Sequence, residues 1–239
     1  MKRSFDRSAA QMRPVTIEIG VQKFSLGSVL VSFGDTRVIC AANIEEKVPG
    51  WMQGRGQGWL TAEYSMLPGS GNQRTQRDSG KGGVNGRSQE IQRLIGRALR
   101  GVTDLKLLGE RTLSIDCDVL QADGGTRTAS ITGAYVAAAL ACKKLIANNK
   151  MKGLPFKEAV AALSVGVVGG KVLVDLDYSE DSTAEVDMNI VGTAAGKLIE
   201  VQGTAEGQPF SPEVLTEMVK AGQAAMVELF AAQEKALRS

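Results

Sequence analysis

Residues 28–42 read SVLVSFGDTRVICAA. Two apolar runs, Ser28–Phe33 and Thr36–Ala42, flank Gly34-Asp35, a dipeptide suited to the turn of a β-hairpin. Residues 163–177, LSVGVVGGKVLVDLD, repeat the arrangement. There Leu163–Val168 and Lys171–Asp177 flank Gly169-Gly170. Each hairpin has strand-like company: Val15–Ile19 beside the first, Ala184–Val191 and Lys197–Gln202 beside the second. Leu113, Ile115, Cys117 and Val119 alternate with Ser114, Asp116 and Asp118, the pattern of a half-buried strand.

Helices separate these blocks. From Ser88 onward, Ile91, Leu94, Ile95, Ala98, Leu99 and Val102 recur at helical spacing. Thr128–Ala147 is alanine-rich and long enough for five turns, and Phe156–Leu163 is a short helix candidate. Ser211-Pro212-Glu213 combines an N-cap residue, proline at the first helical position and an acid in the first turn. Leu215, Met218, Val219, Gly222, Met226, Leu229 and Phe230 then form an apolar stripe, read as core. Hairpins and helices in both parts predict an α+β fold. It is one domain over 1–239, with two intimate halves at about 1–150 and 151–239 and no linker.

The chain has 239 residues, 28 basic and 26 acidic, so its net charge of +2 does not by itself announce nucleic acid. It contains no histidine, which excludes Ser/His/Asp triads, Cys/His nucleophiles and histidine-ligated zinc. Cys40, Cys117 and Cys142 are scattered and odd in number, as expected of reduced, buried residues in the cytoplasm. The N-terminal MKRSFDRSAAQMR lacks an apolar core, and no run of eighteen apolar residues follows. Neither secretion nor a membrane location is expected.

Three segments carry chemistry. Pro68–Arg87 holds glycines at 69, 71, 80, 82, 83 and 86, with Arg74, Arg77, Lys81 and Arg87 against a single acid, Asp78. Such a loop suits a flexible polyanion. By itself it is equally a solvated surface loop, but it ends at Arg87 on the first turn of a helix, where anions are favoured. The pattern of a nucleoside-triphosphate loop is not met, because Thr75 and Gly82 stand at its required positions around Gly80-Lys81. The second segment is Asp123-Gly124-Gly125-Thr126-Arg127-Thr128, between a strand and a helix. Its glycines expose backbone N–H groups, hydroxyls follow, and Arg127 adds a forked cation. Alone, a Gly-Gly turn is usually structural; paired with Arg87, it reads as a phosphate nest.

The third segment, Asp175–Asp187, carries Asp175, Asp177, Glu180, Asp181, Glu185 and Asp187 and no base. As one extended strand it would hold Asp181 and Asp187 roughly 20 Å apart, too far to serve one phosphate. If both act, the chain bends near Ser182-Thr183; if neither does, the segment is a solvated acidic edge. Arginines and amides to hold an anionic nucleophile, with carboxylates for a cation or a proton, suit phosphate attack on a phosphodiester.

The runs Gly56–Pro68 (GQGWLTAEYSMLP), Gly86–Arg97 (GRSQEIQRLIGR), Ile115–Thr132 (IDCDVLQADGGTRTASIT), Glu180–Asn189 (EDSTAEVDMN) and Val201–Ser211 (VQGTAEGQPFS) closely resemble bacterial ribonuclease PH. The resemblance spans from about Arg13 to the C-terminal helix. It implies the ribonuclease PH fold, duplicated β/α halves with mixed sheets and flanking helices, assembled as a homo-oligomer, a hexameric ring that is a trimer of dimers. It implies a phosphorolytic 3′-to-5′ exoribonuclease that trims tRNA and other RNA 3′ ends, releases nucleoside diphosphates and runs backward as a nucleotidyltransferase. Inorganic phosphate is the co-substrate and a magnesium ion the cofactor. By the same resemblance, Arg87, Gly125, Thr126 and Arg127 hold phosphate. Asp181 is the catalytic acid, Asp187 is catalytic and a metal ligand, Asp181 shares the metal, and Arg74 and Arg77 grip tRNA. The chain departs from the family pattern at Gly69, in the loop before Arg74 and at Phe5-Asp6-Arg7, which implies an altered tRNA grip. The alternatives are a non-catalytic RNA-binding ring subunit of an exosome-like assembly and a hydrolytic nuclease. The first would lack the phosphate arginines or the acids, and the second needs an activated water rather than an anion nest.

Overall fold

In the computed structural model, residues 3–77, 80 and 82–239 are described; Asp78 and Lys81 of the basic loop lie outside them. The first hairpin closes at Gly34-Asp35, with Phe33 facing Thr36 and Gly34 in the left-handed conformation (φ +55°) that the turn demands. It joins β2 (Gly27–Phe33) to β3 (Thr36–Glu45), and β1 (Val15–Ile19) pairs antiparallel with β2. β5 (Thr112–Gln121) lies antiparallel to β3, and β4 (Trp59–Met66) adds to β5 in parallel. The result is a mixed five-stranded sheet of order β1-β2-β3-β5-β4. The second hairpin joins β6 (Val160–Val168) to β7 (Lys171–Val174), with β8 (Val186–Thr193) and β9 (Leu198–Ala205) beyond. This four-stranded sheet, β7-β6-β8-β9, is antiparallel throughout.

The helices are α1 (Gly86–Val102), α2 (Leu105–Leu108), α3 (Thr126–Ala147), α4 (Tyr178–Asp181) and α5 (Pro212–Arg238). α3 packs on β2 and β3 of one sheet and on β6 of the other, and α1 and α5 also touch it. It is therefore apolar or small-sided on every face, with no amphipathic stripe. Close approach is required: a Cβ at Gly27 would collide with the Ala137 carbonyl of α3. Ile131, wholly buried on this helix, sits where truncation to alanine commonly costs about 2–5 kcal/mol. These layers make the fold α+β, as the hairpins and helical spacing predict.

Two expectations fail locally, and one strand goes unpredicted. Phe156–Leu163 is not a helix; Phe156 forms an isolated bridge with Thr103, and β6 begins at Val160. The run from Val160 to Val167 is buried on both faces, so it lacks the alternation that separates strand from helix. The strand expected over Lys171–Asp177 ends at Val174, because Asp175 turns into the left-handed region (φ +56°) and Asp177 caps α4. The spacing analysis does not pick out Trp59–Met66, although Leu60, Ala62 and Tyr64 are buried at alternate positions of β4.

Candidate functional site

β5 leads into the glycine turn. The amide of Ala122, one residue beyond the strand, donates to the Ser70 carbonyl at 2.8 Å, so the basic loop starts beside the turn. Gly124 and Gly125 then both adopt positive φ, +74° and +66°. Only glycine serves at 124: a Cβ would lie 2.5 Å from the Leu176 carbonyl oxygen and 2.7 Å from the Asp177 carbonyl carbon. The turn is thereby pressed against the backbone of the acidic segment, and Tyr178 donates its amide to Asp123 Oδ1 at 3.2 Å.

α3 starts directly after this turn, with Gly125 as its N-cap and no side-chain cap. The first-turn amides thus face the site without an internal acceptor, at the positive end of a helix of 22 residues. Thr126 is buried, and its hydroxyl shares a 2.8 Å hydrogen bond with the Tyr64 hydroxyl from β4. Arg127 follows on the first turn, loosely held by Glu90 Oε1 at 3.5 Å and Gln202 Oε1 at 3.3 Å. Arg87 stands on the first turn of α1, whose N-cap Asn85 accepts from the Ser88 amide.

The acids arrive from the other sheet. Asp177 and Glu180 form a reciprocal capping box that starts α4, and Asp181 ends it. Ser182 continues in the helical region, and the chain turns into β8, where Asp187 is half-buried. The bend anticipated near Ser182-Thr183 is present. Burial raises the Asp181 carboxyl above its ordinary range, outweighing the pull of Arg87 and Arg127. Burial, then the charge of Asp181, pushes Asp187 up to about 6 against the pull of Arg127 and Arg87. Tyr64 also feels both arginines, although burial keeps its hydroxyl above the usual range.

Arg87, Arg127, Asp181 and Asp187 therefore act on one another electrostatically around the Gly125-Thr126 turn. Arg74 and Arg77 lie exposed in the preceding loop. The remaining acids of the segment go elsewhere. Asp175, Asp177 and Glu180 pair with Arg13, Arg7 and Arg3 in a buried network. Arg7, one of the positions where the chain departs from the family pattern, is interior rather than on an RNA-facing surface. Glu185 accepts the amide of Gly170. Motif reading misses Tyr64, Glu90 and Gln202. Tyr64 left a signal, a hydroxyl on the apolar side of an alternating strand that must find a partner when buried. Glu90 and Gln202 left none, since they meet Arg127 only in three dimensions.

Among the described residues no group of three or more Asp, Glu or Cys side chains is gathered as a complete metal site. Two carboxylates raised by burial, with the charge of Asp181 raising Asp187 further, still fit magnesium. That ion keeps several waters and is commonly held by one or two carboxylates plus substrate phosphate.

Residues 11–144 match the model for domain 1 of the 3′ exoribonuclease family, and residues 158–225 match its domain 2. Among solved structures, rice (Oryza sativa) Rrp46 is similar in fold, with a TM-score of 0.82 at 19% identity over 99% of this chain and 100% of that one. The Archaeoglobus fulgidus exosome with RNA bound to the active site aligns with a TM-score of 0.77 and 20% identity, over 95% of this chain and 91% of that one. An archaeal exosome core gives 0.75 and 20%, over 95% and 89%. The glycine turn, the arginines and the acid-bearing helix all lie within the matched spans, the first of which alone covers more than half of the 239 residues: the chain belongs to the 3′ exoribonuclease family.

Proposed function

We propose that this site cleaves RNA 3′ ends by phosphorolysis in the manner of ribonuclease PH. The observation that carries the reading is the convergence of Arg87 and Arg127 with the uncapped start of α3 and the two raised carboxylates Asp181 and Asp187. Arginines and amides hold inorganic phosphate against the terminal phosphodiester, where anion meets anion and fixed donors contribute most. The Tyr64–Thr126 bond fixes the hydroxyl beside them. A phosphate oxygen attacks, the P–O3′ bond breaks, and the departing 3′-oxygen takes a proton. The products are a nucleoside diphosphate and an RNA one residue shorter. Asp181 supplies that proton, its carboxyl kept protonated more readily than usual by burial. Asp187, the more strongly raised of the two, is the principal metal ligand with Asp181 beside it. A magnesium ion held there would neutralise charge building on the phosphoryl oxygens. Arg74 and Arg77 grip the RNA backbone upstream, tRNA being the substrate that the ribonuclease PH resemblance suggests.

The solved relatives favour a second reading more than a free-standing tRNA-trimming enzyme, because those named above are exosome subunits or cores. In that reading the chain is an RNA-binding subunit of a ring, catalytic only if its arginines and acids work. The retained cluster supports an active subunit, and a closed ring of identical copies, a homohexamer by the ribonuclease PH resemblance, suits a single chain. One experiment separates the readings. A 3′-extended tRNA is incubated with the protein and magnesium, with and without inorganic phosphate, and the products are chromatographed. Nucleoside diphosphates that require phosphate are expected, together with 3′ extension when diphosphates are in excess. Monophosphates formed equally without phosphate would indicate hydrolysis, and RNA retention without products would favour the non-catalytic subunit.

A further inference from the structure

The N-terminal arginines are buried and paired, and one of them, Arg13, reaches from its ion pair to the glycine turn. The Arg13 side chain and the Asp175 carboxylate are both wholly buried. Arg13 Nη2 meets Asp175 Oδ1 at 2.7 Å, while its Nε and its own backbone amide donate to Oδ2 at 3.0 and 2.8 Å. The far edge of the same guanidinium donates to two carbonyls of the glycine turn, that of Asp123 through Nη1 and that of Gly124 through Nη2 at 3.5 Å. Thr36, also wholly buried at the first position of β3, completes the grip. Its hydroxyl donates to the Gly124 carbonyl at 2.6 Å and accepts from the Asp123 amide at 3.0 Å.

This grip decides where the turn's amides point. In a trans peptide the carbonyl of one residue and the N–H of the next are antiparallel. Drawing the Asp123 and Gly124 carbonyls towards Arg13 and Thr36 therefore turns the amides of Gly124 and Gly125 away from them. Two successive left-handed residues with outward amides, continuous with a helix start, form an anion-binding concavity. Asp175 holds the opposite edge of the fork and lies two residues before the cap of α4, the helix that ends in Asp181.

We infer that Arg13 and Thr36 are positioning residues that set the glycine turn for phosphate and register it, through Asp175, against the acid-bearing helix. The inference rests on the phosphorolytic reading above for its phosphate. Lysine cannot substitute at 13: its single ammonium lacks the planar fork that spans a carboxylate and two carbonyls.

The test uses the full-length chain, inorganic phosphate as the probe, and steady-state phosphorolysis with phosphate and RNA varied separately. Calorimetry of phosphate binding runs alongside. Arg13→Lys and Thr36→Val should each raise phosphate KM and weaken phosphate binding by about ten- to a hundredfold, the scale for displaced reacting groups. RNA KM should stay near the wild-type value, and Thr36→Ser should restore phosphate affinity. Arg7→Lys loosens the same buried network without touching the turn, so it should lower the melting temperature and leave phosphate affinity unchanged. If Arg13→Lys does not fold, Thr36→Val, which removes one hydroxyl and no charge, still decides the matter. Folded variants with wild-type phosphate affinity would overturn the inference and reduce the network to stability alone. A wild-type chain that binds phosphate but releases no diphosphate would remove the phosphorolytic reading, with the calorimetric comparison still deciding the positioning role. A wild-type chain that binds no phosphate would overturn both.

Discussion

α4 carries a different cluster of charge at each end. Around its start, Asp175, Asp177 and Glu180 meet Arg3, Arg7 and Arg13 in direct contacts between nearly inaccessible side chains. Burial there pushes the Asp177 carboxyl up. The hydroxyls of Ser4 and Ser179, the Glu180 amide and Arg7 more than compensate, holding it below the ordinary carboxylate range. At the other end, Asp181 and its neighbour Asp187 are also partly buried, but the nearby arginines do not compensate, and both carboxyls are raised. One segment of chain thus supplies a satisfied cluster and a frustrated one. Charges whose burial is repaid by contacts hold the fold together, whereas charges whose burial is not offset mark the candidate site.

Crossed substitutions should break this comparison most sharply. Asp175→Asn strands Arg13 in the interior, a change that typically costs about 3–5 kcal/mol of folding stability. Arg127→Ala removes a partly exposed side chain whose partners among the described residues, Glu90 and Gln202, are at long range, so its melting temperature should stay within a few degrees of wild type. Its phosphorolytic rate should fall about a hundredfold or more, the usual loss for a preorganised charge donor. Urea unfolding and initial rates on both proteins give the four numbers. A strongly destabilised Arg127→Ala, or an Asp175→Asn as stable as wild type, would show that the two clusters are not divided in this way.

The same contrast explains what was legible beforehand. The hairpins at Gly34-Asp35 and Gly169-Gly170, the α1 stripe and the α5 cap depend on neighbours in sequence, and the reading finds them. The glycine turn and its arginine are also local, so Gly125, Thr126 and Arg127 stand out. The division of the acidic segment is not local. Nothing in the spacing of Asp175, Asp177, Glu180, Asp181 and Asp187 says which acids will meet Arg3, Arg7 and Arg13, more than 160 residues away in the chain. Nothing in the local sequence assigns these N-terminal arginines a role, and the fold buries all three. The helix expected over Phe156–Leu163 fails for a related reason: the burial of β6 on both faces is a property of the assembled layers, not of the run itself.

A smaller effect tests the frustrated side directly. Asp187 titrates near 6 in the folded chain against about 3.8 for an ordinary aspartate. The folded state therefore binds its proton more tightly than the unfolded state does. The resulting penalty is absent below the unfolded pKa, grows as the pH rises through the folded pKa, and is complete above it. Without divalent cations, Asp187→Asn should unfold with about 1–2 kcal/mol more stability than wild type at pH 7.5, and the two should converge towards pH 4. Magnesium should stabilise wild type but not the variant. A difference that does not change with pH would locate the cause outside the carboxyl. A wild-type protein indifferent to magnesium would remove the metal from Asp187.

The smallest expected effect concerns charges that belong to neither cluster. Arg74 and Arg77 are exposed on the loop that starts at the glycine turn through Ser70. Their pairing would be with an RNA backbone rather than with the protein. Releasing counterions from single-stranded RNA contributes roughly 0.7 to the salt slope per neutralised phosphate. The double variant Arg74→Ala, Arg77→Ala should therefore bind tRNA more weakly and with a slope of log K against log salt about 1.4 shallower than wild type. Its stability and its phosphate KM should match wild type, since neither the nest nor the network is touched. The ribonuclease PH resemblance implies a further arginine at the position of Gly69, so Gly69→Arg should steepen the slope by a similar increment for one contact, about 0.7. Slopes that do not respond in either direction would leave the loop as solvated surface and move the RNA grip elsewhere. A response in the expected order would extend the comparison to three tiers: charge satisfied within the fold, charge poised at the site, and charge waiting for the substrate.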